Sequence, residues 1–103
     1  MMKIFISQPM TGRSNEEIYN ERNEIMDLAK DKFGEVQEIE SFNPDPQMQK
    51  YPIWCLGDSI KELSKADFVV FANNWEKSKG CQVEYTCVKL YNIPYTFAST
   101  LKN

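Results

Sequence analysis

Glu84 is the side chain best placed to do chemistry in this chain of 103 residues. It follows an apolar run, Ala66-Asp67-Phe68-Val69-Val70-Phe71-Ala72, and a polar loop from Asn73 to Lys79, and it stands near the start of a helix expected over about 80–91. That helix carries apolar residues at Val83, Cys87, Leu90 and Tyr91, the i, i+4, i+7 and i+8 positions of one face, and Glu84 projects within the same arc. An unpaired charge is costly to bury. Glu84 therefore has a partner, has a shifted pKa, or faces a cavity where something reacts with it. As a carboxylate near a helix N-terminus it is suited to nucleophilic attack on an electrophilic carbon. The plainer reading is a helix-terminal Glu paired with a nearby Lys.

The sequence has no histidine, which excludes imidazole triads and most zinc sites. Acid–base work falls to Asp, Glu, Tyr, Lys or Cys. Cys55, Cys81 and Cys87 are odd in number and lack C-x-x-C spacing, so they read as reduced packing residues; no metal or cofactor is expected. A net charge of −3 argues against binding a nucleic-acid polymer, which needs a concentrated basic surface. No basic segment leads into a long apolar stretch, and no run approaches the roughly 18 apolar residues of a membrane span. The expectation is a cytoplasmic protein, one domain over residues 1–103, with a small-molecule partner.

The elements that would position Glu84 alternate between strand and helix. Lys3-Ile4-Phe5-Ile6-Ser7 is a first strand, stopped by the loop Gln8-Pro9-Met10-Thr11-Gly12-Arg13. Ser14 followed by Glu17 is a capping box, and Ile18, Ile25, Met26, Ala29 and Phe33 form a helical stripe up to Gly34. Arg22 falls within that stripe, its stem packing and its head pairing with a Glu. Val36 to Ser41 is a second strand, at an edge. After a long connection, Ile53, Leu56, Ile60 and Leu63 predict a helix over about 53–65, with Pro52 in its first turn. Asp58 lies off that stripe, beside Trp54 and Lys61, where an acid usually marks a solvated face. The third strand covers Asp67 to Ala72, and Tyr95 to Ala98 make a fourth. Strands separated by helices imply parallel pairing, hence a three-layer α/β sandwich of flavodoxin or Rossmann type, with strand order 2-1-3-4.

In such a sheet the ligand crevice opens at the carboxyl ends of the first and third strands, where the winding reverses. This brings together the loops 8–14 and 73–80. Arg13 and Ser78 could hold a phosphate with backbone N–H groups at the helix N-terminus, and Trp75 offers a face to a base. An ordinary solvated loop has a similar composition.

The stretch from Ile4 to Arg13, and the run from Ala66-Asp67 through Ser78-Lys79-Gly80-Cys81-Gln82-Val83-Glu84 to Ile93-Pro94, resemble the nucleoside 2-deoxyribosyltransferase-like family. The resemblance implies that Glu84 is a nucleophile. It also implies either transfer between deoxynucleosides or N-hydrolysis of deoxynucleoside 5′-monophosphates. The Ser-x-Gly-x-x-x-Glu spacing of Ser78, Gly80 and Glu84 is similar to the hydrolase version, in which the serine helps hold the 5′-phosphate. Gly12 and Arg13 match the hydrolase phosphate loop, while Gln8 and Met10 stand where it has a serine and an arginine. Asp58 is the nearest match to an aspartate that assists at the sugar and base. The implied mechanism is double displacement at C1′ through a glycosyl-Glu84 ester, needing no cofactor. A homo-oligomer is expected, with a neighbouring subunit helping to close the pocket. The alternative is a non-catalytic nucleotide-binding module on the same fold; an interaction protein on an idle α/β scaffold ranks third.

Overall fold

A computed structural model describes residues 1–102. Its elements run β1 (Met2–Ser7), α1 (Asn15–Phe33), β2 (Val36–Glu38), α2 (Pro52–Leu63), β3 (Phe68–Phe71), α3 (Lys79–Leu90), β4 (Tyr95–Phe97) and α4 (Ala98–Leu101). The four strands pair in parallel in the order β2-β1-β3-β4. This is the expected winding. The register sets Ser7 beside Phe71, so the carboxyl ends of β1 and β3 finish level and their loops leave side by side.

Two-residue periodicity divides the sheet's side chains between two cores. Ile4, Ile6 and Val70 pack with Ile25, Ala98 and Leu101 on the face covered by α1 and α4. Phe5, Val69 and Phe71 pack with Leu63 and Val88 on the face covered by α2 and α3. The same alternation carries Ser7 to the α2/α3 face and Gln8 to the α1 face.

α1 follows its sequence closely. Ser14 accepts from Glu17 N and the Glu17 side chain returns to the Ser14 N–H, completing the capping box. Ile18, Ile25 and Ala29 are buried, Met26 and Phe33 pack beside them, and Gly34 at φ 84 ends the helix, its N–H on Lys30 O. α2 follows its sequence only in part. Leu63 is buried, but Ile53 is 83% exposed and the helix has no side-chain cap.

Two expectations need correcting. β2 stops at Glu38 rather than Ser41, although Ile39 N still reaches Ile4 O, because beyond it Ile39 O and Ser41 Oγ turn to Arg22. α3 does not pack through Val83, Leu90 and Tyr91, all of which are exposed. Its buried residues are Cys81, Glu84 and Val88, at i, i+3 and i+7, with Tyr85 packed beside them. Among the described residues, no helix is long and apolar enough to cross a membrane.

Candidate functional site

The inward arc of α3 carries Glu84 to the end of β1 and the flank of α2. It is 6% exposed. Ser7 Oγ donates to its Oε1 at 2.6 Å and Ser59 Oγ donates to its Oε2 at 2.8 Å. Neither partner is a cation, and no ion pair among the described residues includes Glu84. The Lys-paired reading of Glu84 is thereby excluded. Burial pushes the Glu84 carboxyl up from its ordinary value, while the hydroxyls of Ser7 and Ser59 and the charge of Arg22 pull the other way. The thiol of Cys81, one turn earlier, is also pushed up by burial, against hydrogen bonds with Ser7 and Ser78.

Beneath this carboxylate lies a second polar network, on the α1 side of the sheet. Arg22, 2% exposed, donates from Nε to Glu38 at 2.7 Å, from Nη1 to Gln8 Oε1 at 3.2 Å, and from Nη2 to Ile39 O and Ser41 Oγ. The expected Arg–Glu pair is present. Gln8 donates in turn to Ile18 O and to Glu21 Oε1, which also accepts from Arg13 Nη1 at 2.7 Å. Gln8 and Arg13, expected to bind substrate, are thus already joined to α1.

The remaining expected residues separate. Gly12 sits in an exposed turn at φ 78. Ser78 caps α3, accepting from Cys81 N at 3.3 Å, and its hydroxyl also faces the Cys81 thiol. Gly80 lies in the first turn of α3, where a Cβ would meet nothing closer than Leu56 Cδ1 at 3.8 Å. Trp75 packs in an aromatic cluster, 5.6 Å from Phe97 at 22° and 4.6 Å from Tyr85 at 32°. Asp58 is exposed. The next residue, Ser59, is the one that α2 turns toward Glu84.

Sequence reasoning missed Ser7, Ser59 and Glu21. A signal for two of them was present: Ser7 is two residues beyond Phe5, and Ser59 lies three after Leu56 and four before Leu63, on the packed arc. Two surface cavities lie elsewhere. One of about 320 Å³ is bordered by Lys3, Glu38, Glu62 and Lys65, one of about 30 Å³ by Glu21, Asn73 and Lys102, and neither touches Glu84.

The parallel sheet, its reversal point between β1 and β3, and a buried, hydroxyl-held carboxylate beside it define a Rossmann-like three-layer α/β domain with one candidate acidic site. The chain belongs to the family described as Domain of unknown function (DUF4406), whose model matches residues 2–97. No curated protein and no solved structure matches it.

Proposed function

We propose that this protein cleaves or transfers the N-glycosidic bond of a 2′-deoxynucleoside or its 5′-monophosphate through a covalent ester between C1′ and Glu84. The observation that carries the reading is a carboxylate 6% exposed, in no ion pair, held by two hydroxyls at the carboxyl end of the sheet. A carboxylate in no ion pair keeps its electron density for an electrophile, and the developing positive charge at C1′ supplies the contact partner it lacks. The hydroxyls fix its direction without neutralising it. The resemblance of the β1 and β3–α3 segments to nucleoside 2-deoxyribosyltransferase-like proteins supports the same chemistry.

Attack by Glu84 on C1′ releases the base, and water or a second base then opens the ester. Glu84 must be ionised to attack, so activity rises with pH through its raised pKa. A sugar reaches a carboxylate this enclosed when a neighbouring wall yields. α2 is that wall, since it supplies Ser59 and buries Leu63 alone. For a phosphorylated substrate, Ser78 at the start of α3 is the hydroxyl that would turn from Cys81 to the phosphate. We infer a cytoplasmic homo-oligomer in which a second copy helps to close the pocket.

Each deoxynucleoside and deoxynucleoside 5′-monophosphate is incubated with the protein and with Glu84→Ala, and free base is followed by chromatography. Base release by the native chain alone supports the proposal; release that persists in Glu84→Ala overturns it. One observation favours a second reading, a nucleotide-binding module without turnover: both Glu84 oxygens already accept a hydroxyl, and neither cavity opens onto them. A nucleotide that raises the melting temperature without releasing base selects that reading.

A further inference from the structure

The groups around Glu84 are unequal to one task that ordinary N-glycoside cleavage requires, which is protonating the departing base. Hydroxyls face it from two elements, Ser7 on β1 and Ser59 on α2. The charge that α1 directs at it is the cation of Arg22. Cys81, on its own helix, is buried and turned to Ser7 and Ser78. The acid nearest in sequence on α2, Asp58, is exposed, and Glu21 is occupied by Arg13 and Gln8. Among the described residues, no second carboxyl group hydrogen-bonds with Glu84 or with either serine that holds it.

A purine or pyrimidine leaving as an anion needs a proton, and positioned proton transfer contributes about 100-fold or more. A leaving group that departs neutral does not need one. We propose, resting on the reading above, that the preferred substrate is a cationic N-glycoside, of which an N-pyridinium 2-deoxyriboside is the simplest member, and that Glu84 works on it without an acid partner.

Glu84 forms a C–O bond to C1′ while the C1′–N bond breaks, its electron pair passing to the ring nitrogen. The pyridinium charge disappears and a neutral pyridine leaves. Water then attacks C1′, the ester pair returns to Glu84, and one water proton passes to solvent. The site's charge fits this substrate: a buried anion in no ion pair, with Arg22 already paired to Glu38, attracts a ring cation, and Ser7 and Ser59 hold its direction. Ser59 is a positioning residue, bound to the nucleophile and not to the leaving group.

The test compares N-(2-deoxyribosyl)pyridinium with deoxyadenosine and thymidine, each rate divided by its spontaneous hydrolysis, in native protein, Glu84→Ala and Ser59→Asp. The inference expects the pyridinium glycoside to be favoured by about 100-fold, the low end of what a missing acid forfeits. Its kcat/KM should rise with pH on one ionisation and stay level at alkaline pH. Ser59→Asp, which adds an acid, should narrow the gap by speeding the ordinary nucleosides. Glu84-dependent cleavage of all three at equal acceleration, or an alkaline limb for the pyridinium glycoside, overturns the inference while leaving Glu84 as nucleophile. Cleavage of none of them overturns both. The native profile and ratio decide the matter even if Ser59→Asp does not fold.

Discussion

α1 and α2 pack on opposite faces of the same sheet, yet they are held in opposite ways. α1 is fastened along its length, with a capping box at Ser14, Ile18, Arg22, Ile25 and Ala29 buried in sequence, and Gly34 closing its end. α2 is fastened at its last turn. It has no side-chain cap, buries only Leu63, and leaves Ile53 and Trp54 exposed, while Ser59 is its polar link to the site. On the proposed reading the difference assigns roles: α1 with Gln8 and Arg22 would be the fixed floor of the site, and α2 the wall that moves. Local opening free energies follow buried apolar contact, so motion belongs to the less anchored element.

The largest expected effect is on the reaction itself. Glu84→Gln abolishes base release, checked by chromatography, yet raises stability at neutral pH. The folded pKa of Glu84 lies above its unfolded value, so the stability from holding its proton is complete at low pH and lost as pH rises through the folded pKa. Glutamine does not ionise and avoids that loss. Melting temperatures of the two proteins should converge in acid and separate toward neutral pH; a variant less stable than native at neutral pH would contradict the unpaired state of Glu84.

Removing the floor comes next. Arg22→Met leaves Gln8, Ile39 O and Ser41 short of donors in a buried setting, and should cost about 3 kcal/mol in urea unfolding. It also removes a charge that favours ionised Glu84, so the activity limb moves to higher pH. Ser14→Ala takes away the α1 cap and should cost about 1 kcal/mol, a drop of about 4–8 °C in a domain near 100 residues. Ser59→Ala should matter less to stability than Arg22→Met, while shifting the activity limb to higher pH because one hydroxyl no longer favours the carboxylate. The finest test of the contrast is hydrogen exchange. Amides in the first half of α2 should exchange faster than those around Arg22 to Ala29, and nucleoside should slow the α2 amides selectively; equal protection in both helices would remove the moving wall.

What could be read in the sequence follows the range of the interactions. α1 was legible because its cap, stripe and terminal glycine are all local, and strand alternation with helices was enough for the order 2-1-3-4. The inward position of Glu84 was anticipated through the wrong neighbours. Val83, Leu90 and Tyr91 are apolar but exposed, and the true arc begins at Cys81, whose expected packing role the structure bears out. Asp58 and Ser59 differ by one position, about 100° of helix, and only the packing of Leu63 and Leu56 decides which of them faces α3. The commitment of Gln8 and Arg13 to Glu21 was not legible, because it depends on where the loop after β1 meets the second turn of α1. The sequence shows that Trp75 offers an aromatic face but not that Phe97, more than twenty residues away, and Tyr85 pack against its ring.

A carboxylate oxygen of Glu84 is the atom proposed to bond to the sugar, and trapping that bond is the most direct test. Native protein is mixed with an N-(2-deoxyribosyl) substrate, quenched in acid within the first turnover, digested, and mapped by mass spectrometry. A deoxyribosyl adduct is expected on Glu84 and should be absent in Glu84→Gln. Base release with no adduct at any time, or an adduct on a different residue, would contradict it.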